Sequence, residues 1–98
     1  MAVSSVFEFR FSPDTTDEGV GVAQAIGADM PATVGYIGYD VIRDLADPGH
    51  VLVITRWNTQ AEGQAVLASY IHDPKVARAT ELLGHEPQGF LGEITDKS

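Results

Sequence analysis

Three side chains in the second half of the chain could take part in chemistry: Trp57, Tyr70 and His72. Trp57 ends an apolar run and could stack on a flat aromatic ligand. Tyr70 supplies a phenol, and His72 supplies an imidazole, a group that ordinarily titrates at about pH 6.5 and moves protons at neutral pH. Each residue also has a plainer interpretation, as part of the core or as an exposed side chain. We take all three as candidates for a substrate pocket, with His72 as the one candidate base.

Other kinds of site are poorly supported by the residue types present. The chain has no Cys, which excludes disulfides, thiolate catalysis and thiolate metal sites. The three histidines, His50, His72 and His85, lie far apart without an i,i+4 pair, a poor pattern for a metal. His50 and His85 fall in turn-like segments and are expected to be solvated. No Ser-His-Asp order and no Gly-rich phosphate loop occurs, so the sequence predicts neither a metal nor a cofactor site.

The charge balance restricts the partners. The 98 residues carry 14 acidic and 6 basic side chains, a formal net charge of −8, without a basic stripe. Nucleic acid and anionic membrane surfaces are therefore not expected as partners. The first residues have no basic start or long apolar run, and no stretch approaches the roughly 18 apolar residues of a membrane span. The sequence predicts a cytoplasmic protein with a single domain over residues 1–98.

Local patterns predict four strands and three helices that would position these side chains. Alternating apolar residues indicate strands, and two helices have clear start signals: a capping box at Thr59–Glu62 and an Asp73-Pro74 pair. Gly84 suits the end of the last helix, and Asp47–Gly49 suits the turn of a hairpin, with Gly49 free to take a positive φ. Glycines at positions 19, 21 and 27 predict that the first helix is the least regular element. The predicted strands are 4–11, 34–45, 51–57 and 88–95, and the predicted helices are 13–30, 59–71 and 73–84.

The order β-α-β-β-α-α-β predicts an α+β, ferredoxin-like antiparallel sheet. Several strands are apolar on both faces, but three helices can cover only one face. An exposed apolar sheet face of this size indicates a protein–protein interface. The sequence therefore predicts a homodimer, with Glu8, Arg10, Asp40 and Arg56 forming a charge network on the shared face.

Three segments of the chain resemble a known family. The segments GYIGYDVIRD, GHVLVITRW and NTQAEGQAVLASYIHDPKV are similar to the antibiotic biosynthesis monooxygenase domains of the dimeric α+β barrel superfamily. The resemblance runs from about Thr33 to Glu93, and its hallmark is a strand that ends in Trp57 before two helices. It implies a dimeric α+β barrel. The superfamily includes cofactor-free oxygenases, haem-degrading enzymes, isomerases and cyclases, so the fold leaves the chemistry open.

This chain lacks most of the functional residues that mark individual branches of the superfamily. The Trp and His that clamp haem in the haem-degrading branch correspond to Val66 and Val76, which implies that this chain does not degrade haem. The Asn and Tyr of the anthrone oxygenases correspond to Val53 and Gly63. Stress-associated barrels carry a final His where Val76 stands. Of the residues that mark the oxygenase branch, Trp57 remains.

The resemblance implies a cofactor-free, monooxygenase-like enzyme acting on a small aromatic or polyketide-type substrate. A non-enzymatic dimer that binds a small ligand, or a purely structural dimer, is the alternative. The expected pocket lies between the sheet and the helices, with Trp57 in its wall and Tyr70 or His72 near its mouth. Gly63 is expected to leave room for a cavity beside Trp57.

Overall fold

The computed structural model describes residues 1–97, and the elements follow the predicted order β-α-β-β-α-α-β. A single 3-10 turn, Met30–Ala32, extends the first helix. No helix within residues 1–97 is long and apolar enough to cross a membrane. The elements are β1 (Val3–Arg10), α1 (Thr16–Asp29), β2 (Tyr36–Arg43), β3 (His50–Trp57), α2 (Gln60–Tyr70), α3 (Pro74–Leu83) and β4 (Gln88–Glu93).

The four strands form one sheet in the order β2-β3-β1-β4, and every neighbouring pair is antiparallel. This is the predicted α+β architecture. Two strands are shorter than predicted. β2 spans Tyr36–Arg43 where 34–45 was predicted, and β4 spans Gln88–Glu93 where 88–95 was predicted.

The helices cover one face of the sheet, which we call the inner face. Alternation along β3 sends Val51, Val53, Thr55 and Trp57 to this face, where each side chain is at most 2% exposed. The opposite, outer face carries the apolar side chains of Val6, Ile42, Leu52, Ile54 and Phe90, and the charged side chains of Glu8, Arg10, Asp40 and Arg56. The four charged residues thus share a face, as predicted, and Arg56 lies 3.2 Å from Asp40.

A bulge in β2 changes one sequence prediction. Strict alternation along β2 predicts Tyr36 and Tyr39 on opposite faces, since they are three residues apart. In the structure Tyr36 pairs with Trp57 and Gly38 pairs with Arg56, so Ile37 is an extra residue in β2. A bulged residue shifts the alternation by one. Both tyrosines therefore lie on the inner face, with ring centroids 6.4 Å apart.

The glycines of α1 predicted that it would be the least regular element, but it is a continuous helix of 14 residues. Two of its glycines allow close packing on the sheet. A Cβ on Gly19 would lie 2.5 Å from the Phe11 ring, and a Cβ on Gly27 would lie 2.9 Å from the Tyr39 ring. Packing against the sheet therefore offsets the low helix propensity of these residues.

The predicted helix ends are present. The Thr59 side chain accepts a hydrogen bond from the Glu62 N–H at 3.2 Å, and Asp73 accepts one from the Lys75 N–H at 2.9 Å. Gly84 ends α3 with φ of 80°. Gly49 does not use the positive φ open to it: within residues 1–97, positive φ occurs at Gly35 and Gly84 only. The Phe11 carbonyl occupies the place of a Cβ at Gly49, so close approach explains that glycine.

Candidate functional site

A cavity of about 450 Å³ lies between the inner face and the helices. Its floor is formed by β1 and β3, and its walls by the C-terminal end of α1, by α2 and α3, and by the segment before β4. Most of the lining is apolar and includes Phe7, Phe9, Met30, Leu67 and Val76. Pockets of this size and character accommodate small organic ligands.

A few polar side chains line the same cavity. Ser5 and Thr55 lie on the floor, Thr80 and Tyr70 on the walls, and Glu86 at the exposed rim. The Thr80 hydroxyl donates a hydrogen bond to the Val76 carbonyl at 3.0 Å. This arrangement of mainly apolar surface with a small number of polar groups is typical of a binding site that orients its ligand.

Tyr70 connects the cavity wall to an ionic network. Its hydroxyl donates a hydrogen bond to Asp29 at 2.7 Å, and Lys75 lies 3.0 Å from the same carboxylate. Burial, reinforced by the hydrogen bond to Asp29, raises the pKa of the Tyr70 phenol. The hydrogen bond from Tyr70, followed by the one from Lys75, lowers the pKa of Asp29. Tyr70 is therefore a neutral phenol that holds α2 to the end of α1, and it does not act as a base.

Trp57 does not line this cavity, so the expectation that it forms a wall is wrong. Its side chain is 0% exposed, and its indole N–H donates a hydrogen bond to the Thr33 hydroxyl at 3.0 Å. Gly63 does not leave room beside it either. A Cβ on Gly63 would lie 3.1 Å from Val3, 3.2 Å from Trp57 and 3.3 Å from Leu91. Trp57 is a core residue, the plainer of its two interpretations.

The close contact at Gly63 predicts a stability effect. Gly63→Ala is expected to lower the free energy of unfolding by about 1–2 kcal/mol, because Val3 and Trp57 are packed core residues that cannot move aside cheaply. Gly21 is the matched control, since a Cβ there meets nothing within 4 Å. Gly21→Ala should raise the free energy of unfolding by about 0.5–1 kcal/mol. Urea unfolding of both variants measures the difference, and a stabilised Gly63→Ala variant would contradict this packing.

The structure separates the other two candidates. Tyr70 lies in the cavity lining, whereas His72 is exposed in the turn between α2 and α3 and is not part of that lining. Within the part of the chain that the structure describes, Glu86 is the carboxylate that lines the cavity. Sequence reasoning missed Glu86, because it stands in an irregular segment without a motif.

His50 was expected to be solvated, and the structure corrects this. It begins β3, and its side chain is 19% exposed between two carboxylates. Nδ1 lies 3.1 Å from Asp44, and Nε2 lies 2.7 Å from Glu8. The hydrogen bond to Asp44, followed by the one to Glu8, raises the pKa of His50. The hydrogen bond from His50 in turn lowers the pKa of each carboxyl group.

This cluster predicts a pH-dependent contribution to stability. A raised pKa means that the folded protein binds the His50 proton more tightly than the unfolded chain does. The contribution is complete below the ordinary value of about 6.5 and disappears as the pH rises through the raised pKa. His50→Gln should therefore lower the urea midpoint at pH 5.5 and have little effect well above the raised pKa. His72→Gln, in an exposed turn, is the control. An equal loss of stability at all pH values would contradict this contribution from protonated His50.

Within residues 1–97, no group of three His, Cys, Asp or Glu side chains is placed to hold a metal ion. The His50 cluster also lies on the outer face, away from the cavity, so its role is in stability and not in the cavity's chemistry.

Comparison with known proteins identifies related sequences and folds. The sequence model described as "Antibiotic biosynthesis monooxygenase" matches residues 2–79 of the chain. No curated protein matches the sequence.

Solved structures show the same fold at low sequence identity. Rv0793 from Mycobacterium tuberculosis has a TM-score of 0.83 and 17% identity, and the alignment covers 100% of this chain and 99% of that one. A conserved protein from Methanosarcina mazei has a TM-score of 0.78 and 16% identity, with 93% and 90% covered. A variant of SnoaB, a cofactor-independent oxygenase from Streptomyces nogalater, has a TM-score of 0.75 and 16% identity, with 98% and 95% covered.

Proposed function

Because the chain belongs to the antibiotic biosynthesis monooxygenase family, we propose that it is a cofactor-free monooxygenase-like enzyme acting on a small aromatic or polyketide-type substrate. The observation that carries this proposal is the apolar cavity of about 450 Å³ with a carboxylate, Glu86, at its rim. The cavity would bind a flat aromatic molecule and exclude water, and Glu86 would accept a proton from it. The likeness to SnoaB, a cofactor-independent oxygenase, supports the same chemistry.

The proposed reaction begins at an acidic CH₂ group of the substrate. Glu86 removes one proton, and the remaining electron pair delocalises onto an oxygen atom of the aromatic system. The carbanion transfers electrons to O₂ and forms a C–O bond, and the peroxide anion takes the proton back from Glu86 to give a hydroperoxide at that carbon. Loss of water then leaves a ketone. One O₂ is consumed, the carbon is oxidised from CH₂ to C=O, and the second oxygen atom leaves as water, so atoms and electrons balance.

Oxygen uptake with a panel of anthrones and hydroquinones tests this proposal. The protein should accelerate the consumption of O₂ with an anthrone, with one quinone formed for each O₂ and without release of hydrogen peroxide. Heat-denatured protein controls for spontaneous oxidation, and a chelator controls for trace metals. Binding of these compounds without any faster oxygen uptake would contradict the enzymatic proposal.

Binding without faster oxygen uptake would support the second candidate function, a binding protein for small aromatic molecules. The observation that favours it is the composition of the cavity, in which apolar side chains such as Phe7, Phe9 and Leu67 predominate. A carrier needs only shape and apolar surface, whereas an oxygenase also needs a proton acceptor at the reacting carbon. A measured affinity combined with unchanged oxygen consumption distinguishes the two functions.

We propose that a second copy of the chain covers the outer face. No helix lies on this face among residues 1–97, and Ile42 and Phe90 are 47% and 64% exposed there. An exposed apolar sheet face that no helix covers is typical of an interface between protein chains. The assignment to the cytoplasm and the exclusion of nucleic acid and membranes as partners remain predictions from the sequence.

A further inference from the structure

We propose that Ser5 and Thr55 together bind one oxygen atom of the ligand, so that the cavity selects aromatic molecules bearing a hydroxyl or ketone group. This inference rests on the proposed function only in taking the cavity as the site of an aromatic ligand. It adds the orientation of that ligand, with its oxygen atom against the sheet.

The two side chains are adjacent on the floor of the cavity. Ser5 in β1 pairs directly with Thr55 in β3, and both lie on the inner face. Directly opposed residues of antiparallel strands have Cβ atoms about 5 Å apart. Two hydroxyls at that separation can therefore reach a single atom placed between them.

Both hydroxyls are deeply placed and are not used by the protein. Ser5 is 2% exposed and Thr55 is 1% exposed. Neither side-chain hydroxyl makes a hydrogen bond within residues 1–97. No buried polar side-chain atom in that part of the chain is sealed off without a partner. Since both residues line the cavity, their hydroxyl oxygens open into it.

The other hydroxyls of the cavity differ in this respect. Thr80 donates to the Val76 carbonyl, and Tyr70 donates to Asp29. Ser5 and Thr55 thus keep free donors in surroundings that include Phe7, Phe9 and Val53. Polar groups held this way in an apolar site cost stability unless a ligand completes their hydrogen bonds.

A carbonyl, phenol or enolate oxygen fits this floor best. A carbonyl or enolate oxygen accepts a hydrogen bond from each hydroxyl, and a phenol accepts one and donates the other, whereas a hydrocarbon would leave both hydroxyls without a partner. Sites built around polar groups reject ligands that lack the matching group. In the proposed reaction the same pair would stabilise the negative charge that develops on the oxygen atom after deprotonation, as fixed donors do in other enzymes.

The test compares 2-naphthol with 2-methylnaphthalene, which has a methyl group in place of the hydroxyl. Binding is measured by the fluorescence of each probe with wild-type protein and with Ser5→Ala, Thr55→Val and the double variant. The wild type should prefer 2-naphthol. Each single variant should reduce that preference by about fivefold to tenfold, as expected for loss of one hydrogen bond. The double variant should bind the two probes almost equally.

Ser69→Ala is the control, since it removes a hydroxyl that the α2 backbone already uses, on the exposed side of that helix and outside the cavity lining. It should leave the preference for 2-naphthol unchanged. Because Ser5 and Thr55 have no protein partners, their variants should melt at or above the wild-type temperature, which circular dichroism measures. A double variant that still prefers 2-naphthol, or that melts well below the wild type, would overturn the assignment.

The outcomes separate this inference from the proposed function. If the double variant loses the preference for 2-naphthol but the wild type consumes no extra oxygen, the role of Ser5 and Thr55 is supported and the enzymatic proposal fails. If oxygen is consumed but the double variant still prefers 2-naphthol, only the proposed role of Ser5 and Thr55 fails. If the wild type binds neither probe, the cavity is not an aromatic site and both are overturned.

Discussion

Replacing Glu86 with Gln is expected to lower kcat for oxygen consumption by about 100-fold or more, because general bases contribute this much to proton abstraction. Gln keeps the size and the hydrogen-bonding ability of the side chain but cannot accept the proton. Binding of 2-naphthol should be nearly unchanged, since Glu86 stands at the exposed rim and not among the apolar residues of the cavity. Steady-state oxygen uptake and probe binding, measured on the same preparation, provide both values.

Glu81→Gln is the control for this experiment. Glu81 lies on α3, is exposed and pairs with Arg78 at 3.5 Å, but it is not part of the cavity lining. An exposed pair of this kind contributes little to stability, so the variant should retain wild-type kcat. Equal activity of the Glu86→Gln variant and the wild type would show that the proton leaves by another route.

Replacing Ile54 with Glu is expected to weaken self-association by about 1000-fold or more. Ile54 lies in the middle of the outer face, between Asp40 of β2 and Val6 of β1. A second copy on this face would bury the introduced carboxylate, and burial of an unpaired charge costs several kcal/mol. Each 1.4 kcal/mol corresponds to a factor of ten in the dissociation constant. Sedimentation velocity over a range of concentrations measures the change.

Gln64→Glu is the matched control, because it also adds one negative charge but does so on the exposed surface of α2. It should leave the sedimentation behaviour unchanged. Circular dichroism of Ile54→Glu distinguishes dissociation from unfolding. Loss of a second copy from this face would lead to either outcome. A folded dimer that persists in the Ile54→Glu variant would show that the second copy does not use this face.

The local elements were predictable because their signals are local. The capping box at Thr59 and the Asp73-Pro74 start each use residues within one helical turn, so neither depends on the rest of the chain. Alternation along residues 51–57 likewise divided the side chains of β3 between the two faces of the sheet. Where a feature depended on contacts from elsewhere, prediction failed. The glycines of α1 predicted the least regular element, but in the structure the Phe11 and Tyr39 rings pack against two of them and the helix is continuous.

The sequence by itself determined the order of elements, the α+β architecture and the family, since these follow from periodicity, helix caps and a long matching segment. The tertiary structure alone decided which side chains share a site. It buried Trp57 in the core, left His72 exposed and brought Glu86 to the cavity. It also paired Ser5 with Thr55, 50 positions away along the chain. Such pairs depend on strand order and register, which hydrophobic patterns within one strand do not specify.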